Sequence, residues 1–509
     1  MKKYAIIFLT ISCFQTAFSN IRYVKPASSG SGDGSSWSNA SSGLQLIINS
    51  SSAGDQIWVA AGTYKPSNYP RNCPSCSGNR DYSFHLQGGV RMYGGFSGTE
   101  TLLSQRNIDK NPTILSGDLG LPEPADDNVY HVVVYTSDIS GTELDGFQIS
   151  NGGTKTYFYT PSLQIDSKLV QYINGGGAFI YGSFLNISNT KISQNSGYSG
   201  AGINVTSSNL ININNCKIAN NTSINGFGGG TSYILSKGIV SNSTFTNNSS
   251  SSGGGIAVFA DVLSSSTQYP EFINCVISQN TVSSRGGGIF YYGGQSNTSV
   301  TNCTIFGNSA ESYGGVFLQN GASAIFKNNI VWGNTSTNLG TGGIEFENPV
   351  PASLVSFSIV QGGYTPCTSC PNTNGNINPL FANPNLPLGF DSIGGTFDDG
   401  LNLKYTSPAI NTGDNSVSSI IDILGRTKTG IKDIGAYEFM PKGNCIDNRH
   451  VGDNPIEAGT HFSSHFFTAD GTVGAGTSVI FNAGNDILLL PGFKTQPNAV
   501  FKASILGCL

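Results

Sequence analysis

Asp118, Glu123, Asp126, Asp127 and Asp145 lie close together in the chain, near Arg91, Arg106 and His131. Carboxylates grouped in this way can hold a divalent cation. Paired across a glycosidic bond, or set beside a basic side chain, they can also cleave a polysaccharide. Asp equally closes turns by bonding to nearby backbone amides, and turn closure is the reading adopted for this group. Asp398-Asp399 before Gly400 has the same turn character. Calcium is the one cofactor left open by these residues; no other is expected, and no metal ligand is assigned. Between Asn174 and Glu345 the acids are Asp261, Glu271, Glu311 and Glu345, the cations are Lys191, Lys217, Lys237, Arg285 and Lys327, and there is no histidine. These acids occupy different positions of a sequence repeat, so stacking the repeats does not pair them. The Asn-Thr-Asp and His-Gly signatures of polygalacturonases are missing from the chain. No catalytic residue is assigned.

The cysteines offer different chemistry. Cys73/Cys76 and Cys367/Cys370 are two CxxC pairs that together could give zinc four thiolates. The long repeat region between them places the pairs at opposite ends of the molecule, and two local disulfides in an exported chain fit better. Cys445 and Cys508 bracket the last segment and can close it as a third bridge. Cys216, Cys275 and Cys303 share one position of the repeat beside Ile218, Ile277 and Ile305, which marks them as small buried side chains packed in a ladder.

That repeat is the element on which everything else hangs. The segment CVISQNTVSSRGGGIF from Cys275 returns as CKIANNTSINGFGGGTSY from Cys216, STFTNNSSSSGGGIAVF from Ser243 and CTIFGNSAESYGGVFLQ from Cys303. Its last glycines are Gly177, Gly202, Gly230, Gly255, Gly288, Gly315 and Gly343; its asparagines are Asn195, Asn221, Asn248, Asn280, Asn308 and Asn334. Both series step by roughly 25–33 residues, the range of solenoid repeats. Within a repeat the apolar pattern alternates, as in Ile256, Val258 against Ala257, Phe259, which is the period of a strand. Each coil therefore reads as strand, turn, strand, turn, with room for a third strand. Stacked coils of this kind form an all-β, right-handed parallel β-helix in which equivalent asparagines bond from coil to coil. A solenoid end is an open sheet edge that needs a cover, and the amphipathic stretch Leu44 to Ile48 is the expected cap.

The alternation puts Phe179, Phe290 and Phe317 on the outer face at one position, and Tyr181, Ile234, Phe259 and Tyr292 at the next but one. Such an aromatic stripe can stack on sugar rings or meet a protein. Alternatively it is covered by the insertion Thr154 to Ile173, which carries Tyr157, Phe158, Tyr159 and Tyr172.

The 509 residues are rich in Gly, Asn, Ser and Thr, carry only 11% charged side chains and have a formal net charge of -5. Nothing in that balance provides a basic surface, so nucleic acid is not an expected partner. The start, MKKYAIIFLTISCFQTAFSN, reads as a cleaved secretory signal over residues 1–19, with a lipoprotein signal at Cys13 as the rival. No later segment has the ~20 apolar residues of a membrane-spanning helix. The mature protein is expected to be secreted or held at the cell surface or outer membrane.

The segments YVKPASSGSGDGSSWSNA, GGVRMYGGFSGTET, TILSGDLG, DNVYHVVV and LDGFQISNGG resemble those of parallel β-helix proteins secreted by Bacteroidetes-type bacteria, with a pectin lyase-like fold. The Gly-Gly and Phe-x-x-Asn pairing, strict at Phe245 and Asn248, is similar to the repeat of chlamydial polymorphic outer-membrane proteins. SPAINTGD and DIGAYEF resemble the end of choice-of-anchor β-helix modules, and the segment from Gly471 to Ile505 looks like a three-coathanger stack. Gly507-Cys508-Leu509 resembles a Gly-Cys-X terminus used for anchoring, which competes with a bridge at Cys508. The resemblance implies an N-terminal cap and first coils over 20–143, a β-helix with its C-terminal cap over 144–440, and a small stacked β-hairpin domain over 441–509 that would anchor the protein to the envelope. It also implies three functions: adhesion to an extracellular polysaccharide or surface protein, without catalysis, which is the reading adopted; a polysaccharide lyase or glycoside hydrolase; or a structural spacer.

Overall fold

The computed structural model describes residues 19–504 apart from 121–126, 154–161, 261–269, 294–297, 340–342, 347–353, 364–366, 372–376, 440–445 and a few single or paired positions after residue 389. The proposed signal and the Cys445/Cys508 pair thus lie outside the described residues. The chain coils into a right-handed parallel β-helix whose central turns are each built from four short strands. One turn runs through Thr281–Arg285, Ile289–Tyr292, Thr298–Thr301 and Thr304–Phe306 before Ser309–Ser312 opens the next.

Equivalent strands hydrogen-bond in register into long sheets. The first sheet holds eleven described strands, from Ile21–Val24 to Val355–Ser356, and includes Thr298–Thr301. The second holds ten, from Gly62–Tyr64 to Ile359–Val360, and includes Thr304–Phe306. The third holds nine, from Phe84–His85 to Ile344–Phe346, and includes Ile289–Tyr292. A fourth, of six strands from Ser196–Ser199 to Thr335–Leu339, joins the second to the third. The alternation of apolar residues does not reveal this fourth sheet, because strands such as Ser249–Ser252 are entirely serine.

Inward side chains, among them Ile218, Ile277, Ile305, Tyr233 and Tyr291, form one continuous core. The corners explain the polar half of the repeat. Between the first and second sheets, Asn242, Asn274, Asn302 and Asn328 take φ values of 49°, 55°, 52° and 57°, a left-handed conformation that Asn tolerates better than other non-glycine residues. Between the second and fourth sheets the asparagine ladder is fully buried. The Oδ1 of Asn280 accepts from the Asn248 backbone N–H at 2.9 Å and from Asn248 Nδ2 at 3.0 Å, and Asn280 Nδ2 donates to Asn308 Oδ1 at 2.8 Å and to the Phe245 carbonyl at 2.9 Å. The same bonds link Asn195 to Asn221, Asn221 to Asn248, and Asn308 to Asn334. The last glycine of each triplet sits against this ladder. A Cβ on Gly288 would lie 2.8 Å from the Gly315 carbonyl oxygen, 2.9 Å from Ile305 Cγ2 and 3.2 Å from Asn308 Nδ2. Asparagine and glycine therefore recur in step because the amide needs space that only a missing side chain leaves.

The cysteine position is a second ladder. The Cys275 N–H points at Cys303 Sγ at 3.4 Å, the Cys303 N–H donates to Asn329 Oδ1 at 2.8 Å, and the Asn329 N–H donates to Ser358 Oγ at 3.0 Å. The Ser358 N–H ends the series at Cys370 Sγ, 3.3 Å away. Cys370 is disulfide-bonded to Cys367, and both pack against the core, so this small loop covers the last coil. At the other end a helix, Leu44–Ser50, buries Leu44, Ile47 and Ile48 in the same core. Gln45, also buried, caps the edge of the third sheet: its Oε1 accepts from the His85 N–H at 2.9 Å and its Nε2 donates to the His85 carbonyl at 3.2 Å.

Two expectations are corrected. The segment ending in DIGAYEF is not a lid on the end of the coil. The described residues of 377–439 run as a strap along the outside of the second sheet, where Phe381, Leu401, Ile434 and Tyr437 cover Val276, Phe306, Ile330 and Ile359. The reason is the outward apolar side chains of that sheet, which would otherwise face water. The last segment is also not made of hairpins. Ile446–Val451, Gly459–Ala469, Ser478–Ala483 and Val500–Ser504 pair in parallel around a separate core that includes Val451, Val473 and Phe481. It is a second, smaller coil, whose glycine-punctuated alternation looks the same in sequence as a hairpin's.

Candidate functional site

Strand register brings together aromatic residues that are far apart in the chain. On the outer face of the third sheet, Ala257, Phe290 and Phe317 stack coil over coil in one column, and Ile234, Phe259, Tyr292 and Gln319 in the next. At the end of the fourth sheet, Phe227, Ser252, Arg285 and Ser312 share one register position. Small Ala257 leaves room for Phe227 to lean over from that neighbouring sheet. Its ring stacks on Phe290 at 6.0 Å and 14°, Phe290 stacks on Phe317 at 6.1 Å, and Tyr313 closes the row against Phe317 at 4.1 Å and 4°. Phe259 meets Phe227 edge-on at 5.0 Å.

Rings stacked on one another use up their own faces. Phe290 and Phe317, placed outside by parity, are accordingly almost completely buried. They form the base of the cluster and not its contact surface. Tyr292, which packs on Phe259 and Phe290, is 40% exposed and is the ring with surface left to offer. The guanidinium of half-buried Arg285 lies over the Phe317 ring at 5.7 Å.

The lower part of the predicted stripe has a different fate. The described part of the insertion forms a hairpin, Ser162–Ile165 with Lys168–Gln171, whose Leu163, Ile165 and Val170 pack on Phe179. Phe179 is 1% exposed, and Tyr181 is half-covered, with Lys168 Nζ 5.5 Å from its ring. Phe179 is therefore not available as a contact residue. Tyr157, Phe158 and Tyr159 lie outside the described residues. The hairpin is pinned at its turn: Asp166 accepts from Asn72 Nδ2 at 2.7 Å and Thr136 Oγ1 at 2.6 Å, with His85 Nε2 at 3.3 Å. These bonds hold the Asp166 carboxyl far below the usual carboxylate range. The neighbouring disulfide, Cys73–Cys76, packs against the same hairpin.

The acids grouped in sequence do not converge. Asp145 pairs with Arg106 at 2.7 Å, and Asp118 lies 3.7 Å from Lys65. His131 is buried beside Phe179, its Nδ1 3.1 Å from the Gly175 carbonyl, and burial pushes its pKa down to about 4. Asp127 is half-buried, while Glu123 and Asp126 lie outside the described residues. Asp399, of the Asp-Asp-Gly turn, is buried within the strap and accepts from the Tyr437 hydroxyl at 2.5 Å. Among the described residues no group of three or more His, Cys, Asp or Glu side chains is arranged to hold a metal ion.

Phe227, Tyr313 and Arg285 fall outside the positions that strand parity assigns to the outer aromatic stripe. Their signal is nonetheless present: Phe227 and Arg285 immediately precede a glycine run, and Tyr313 stands where other repeats open theirs with glycine.

Residues 171–331 and 262–358 match the family described as the right handed beta helix region. The repeats are those of a right-handed β-helix. No curated protein matches the chain. Among solved structures, the pectate lyase Pel9A aligns at 15% identity over 82% of this chain and 96% of its own, with a TM-score of 0.46. PfbA, a surface adhesin of Streptococcus pneumoniae, aligns at 8% identity over 91% of this chain and 88% of its own, with a TM-score of 0.34. The catalytic domain of Agl-KA aligns at 13% identity over 91% of this chain and 64% of its own, with a TM-score of 0.29.

Proposed function

We infer that this β-helix is an exported polysaccharide-binding protein that acts without catalysis at the cell surface or outside the cell. The observation that carries the reading is Tyr292, exposed beside a buried base of stacked rings on the outer face of the third sheet. A pyranose ring buries its C–H face well on an aromatic surface whose orientation is already fixed, since little side-chain freedom is then lost on binding. Two CxxC disulfides fit an oxidising compartment. Among the described residues no helix is long and apolar enough to cross a membrane.

The test is to incubate the purified protein with neutral and acidic polysaccharides, first with calcium and then with chelator, and to follow both polymer length and retention. Retention with unchanged length is expected, and Tyr292→Ala should weaken it about three- to tenfold. Shortened polymer, lost in an Asp126→Ala/Asp127→Ala variant, would instead make the protein a lyase or hydrolase. A rod that retains nothing is a spacer.

A further inference from the structure

We propose that Arg285 restricts the ligand of this face to polysaccharides bearing anionic groups, a carboxylate or sulfate oxygen pairing with its guanidinium while a sugar ring packs on Tyr292. The inference rests on the binding reading above and goes beyond it by assigning the ligand's charge and the residue that selects it.

Arg285 is half-buried against Phe317, and among the described residues no carboxylate pairs with it. Five other cationic side chains, those of Lys65, Arg106, Lys168, Lys327 and Arg426, do have an acidic partner within 4 Å. Partial burial of a cation without a counter-ion is unfavourable, and the face of one phenyl ring offsets it only in part. An anion supplied from solution removes that imbalance. Guanidinium suits it, because its planar fork of donors matches two oxygens of a carboxylate or sulfate at once.

The surroundings keep the fork accessible. In register, Arg285 is flanked by Ser252 on the coil before and Ser312 on the coil after, two short side chains that cannot reach over it. The acid on the neighbouring strand, Glu311, is exposed, and its Oε1 accepts from Asn338 Nδ2 at 3.4 Å. The cluster ties the two contact groups together, since Arg285 sits over Phe317, Phe317 stacks on Phe290, and Phe290 packs on Tyr292. A chain of sugars crossing this face thus meets an aromatic ring and a cation within a few ring widths. The net charge of -5 makes the rest of the molecule a poor general attractor of polyanions, so the selectivity must be local.

The test compares binding of the full chain to polygalacturonate, sulfated dextran and unmodified dextran by affinity electrophoresis at low and high salt. At least one anionic polymer should bind more tightly than dextran and weaken as salt rises. Arg285→Gln should reduce that binding about tenfold while leaving any retention of dextran unchanged. Arg285→Lys, which keeps the charge and loses the fork, should fall between the two. Polygalacturonate against sulfated dextran tells which oxyanion is preferred. Equal binding of dextran and polyanions, or full binding by Arg285→Gln, overturns the proposal while leaving the binding reading intact. If no polymer binds, or if Tyr292→Ala changes nothing, the binding reading fails and the proposal with it. Matching thermal melts of the variants separate these outcomes from misfolding, and Ser283→Ala, on the same strand, serves as a neutral control.

Discussion

At the scale of single residues, the stack depends on polar side chains that have nowhere else to bond. Asn280→Ala removes an amide that serves the Asn248 N–H, Asn248 Nδ2, the Phe245 carbonyl and Asn308 Oδ1. In the buried corner those partners are left unsatisfied, and a loss of about 2–4 kcal/mol is expected in urea unfolding. Gly288→Ala should cost about 1–3 kcal/mol for the opposite reason, since the new methyl group presses on a backbone carbonyl that cannot retreat. The three core thiols are predicted to be inert. Burial pushes Cys216 up to about 12 and Cys275 well above its ordinary value, so little thiolate forms at neutral pH. Iodoacetamide should leave Cys216, Cys275 and Cys303 unmodified in the folded protein and alkylate all three in denaturant. Rapid labelling of the native protein would show that the core opens readily.

At the scale of elements, the strap over the second sheet is the part most open to conditions. It is latched by Lys327 to Asp414 at 2.5 Å, by the Ala436 N–H to Thr304 Oγ1 at 3.0 Å and by the Gly435 N–H to the Asn328 carbonyl at 2.8 Å. Inside it, burial raises Asp399 and Asp433 to about 6, and burial followed by the Asp433 charge raises Glu438 to about 7. These carboxyls hold protons more tightly in the folded strap than in a released one. Their contribution to stability is therefore complete below about pH 4 and is lost as pH rises through 6 to 7. Arg426, paired with Asp422 at 2.5 Å, and Lys428, whose own pKa burial lowers, keep some of the negative charge offset. Hydrogen exchange of residues 377–439 should be slower at pH 5 than at pH 8 relative to the coils beneath. An equal or reversed ratio would mean that the cations outweigh the raised carboxyls. Arg426→Gln should make the strap exchange faster at pH 8, because the fully buried Asp422 then loses its partner.

At the scale of the whole molecule, two cores imply two unfolding units. The β-helix shares one continuous core from Val24 to Val360, whereas the small terminal coil encloses its own. Calorimetry should resolve two transitions, with Asn280→Ala lowering only the one that belongs to the β-helix. A single transition that shifts as a unit would show that the two parts fold together. The sequence alone determined the rod: Asn280 and Gly288 recur in step, Ile289 and Tyr291 alternate with Phe290 and Tyr292, and this local periodicity repeats often enough to specify coil and ladder, while the amphipathic spacing of Leu44, Ile47 and Ile48 marks the cap. Only the tertiary structure decided which outward residues stay outward. Phe179 and Phe290 have the same parity, yet a hairpin from an insertion covers one and neighbouring rings bury the other, leaving Tyr292 exposed and Arg285 half-buried. The strap over Val276 and Phe306 was likewise invisible, as was the parallel pairing of the terminal strands. Parity within a strand is set by its own backbone, but exposure depends on which distant segment docks there, and no local pattern of residues encodes that partner.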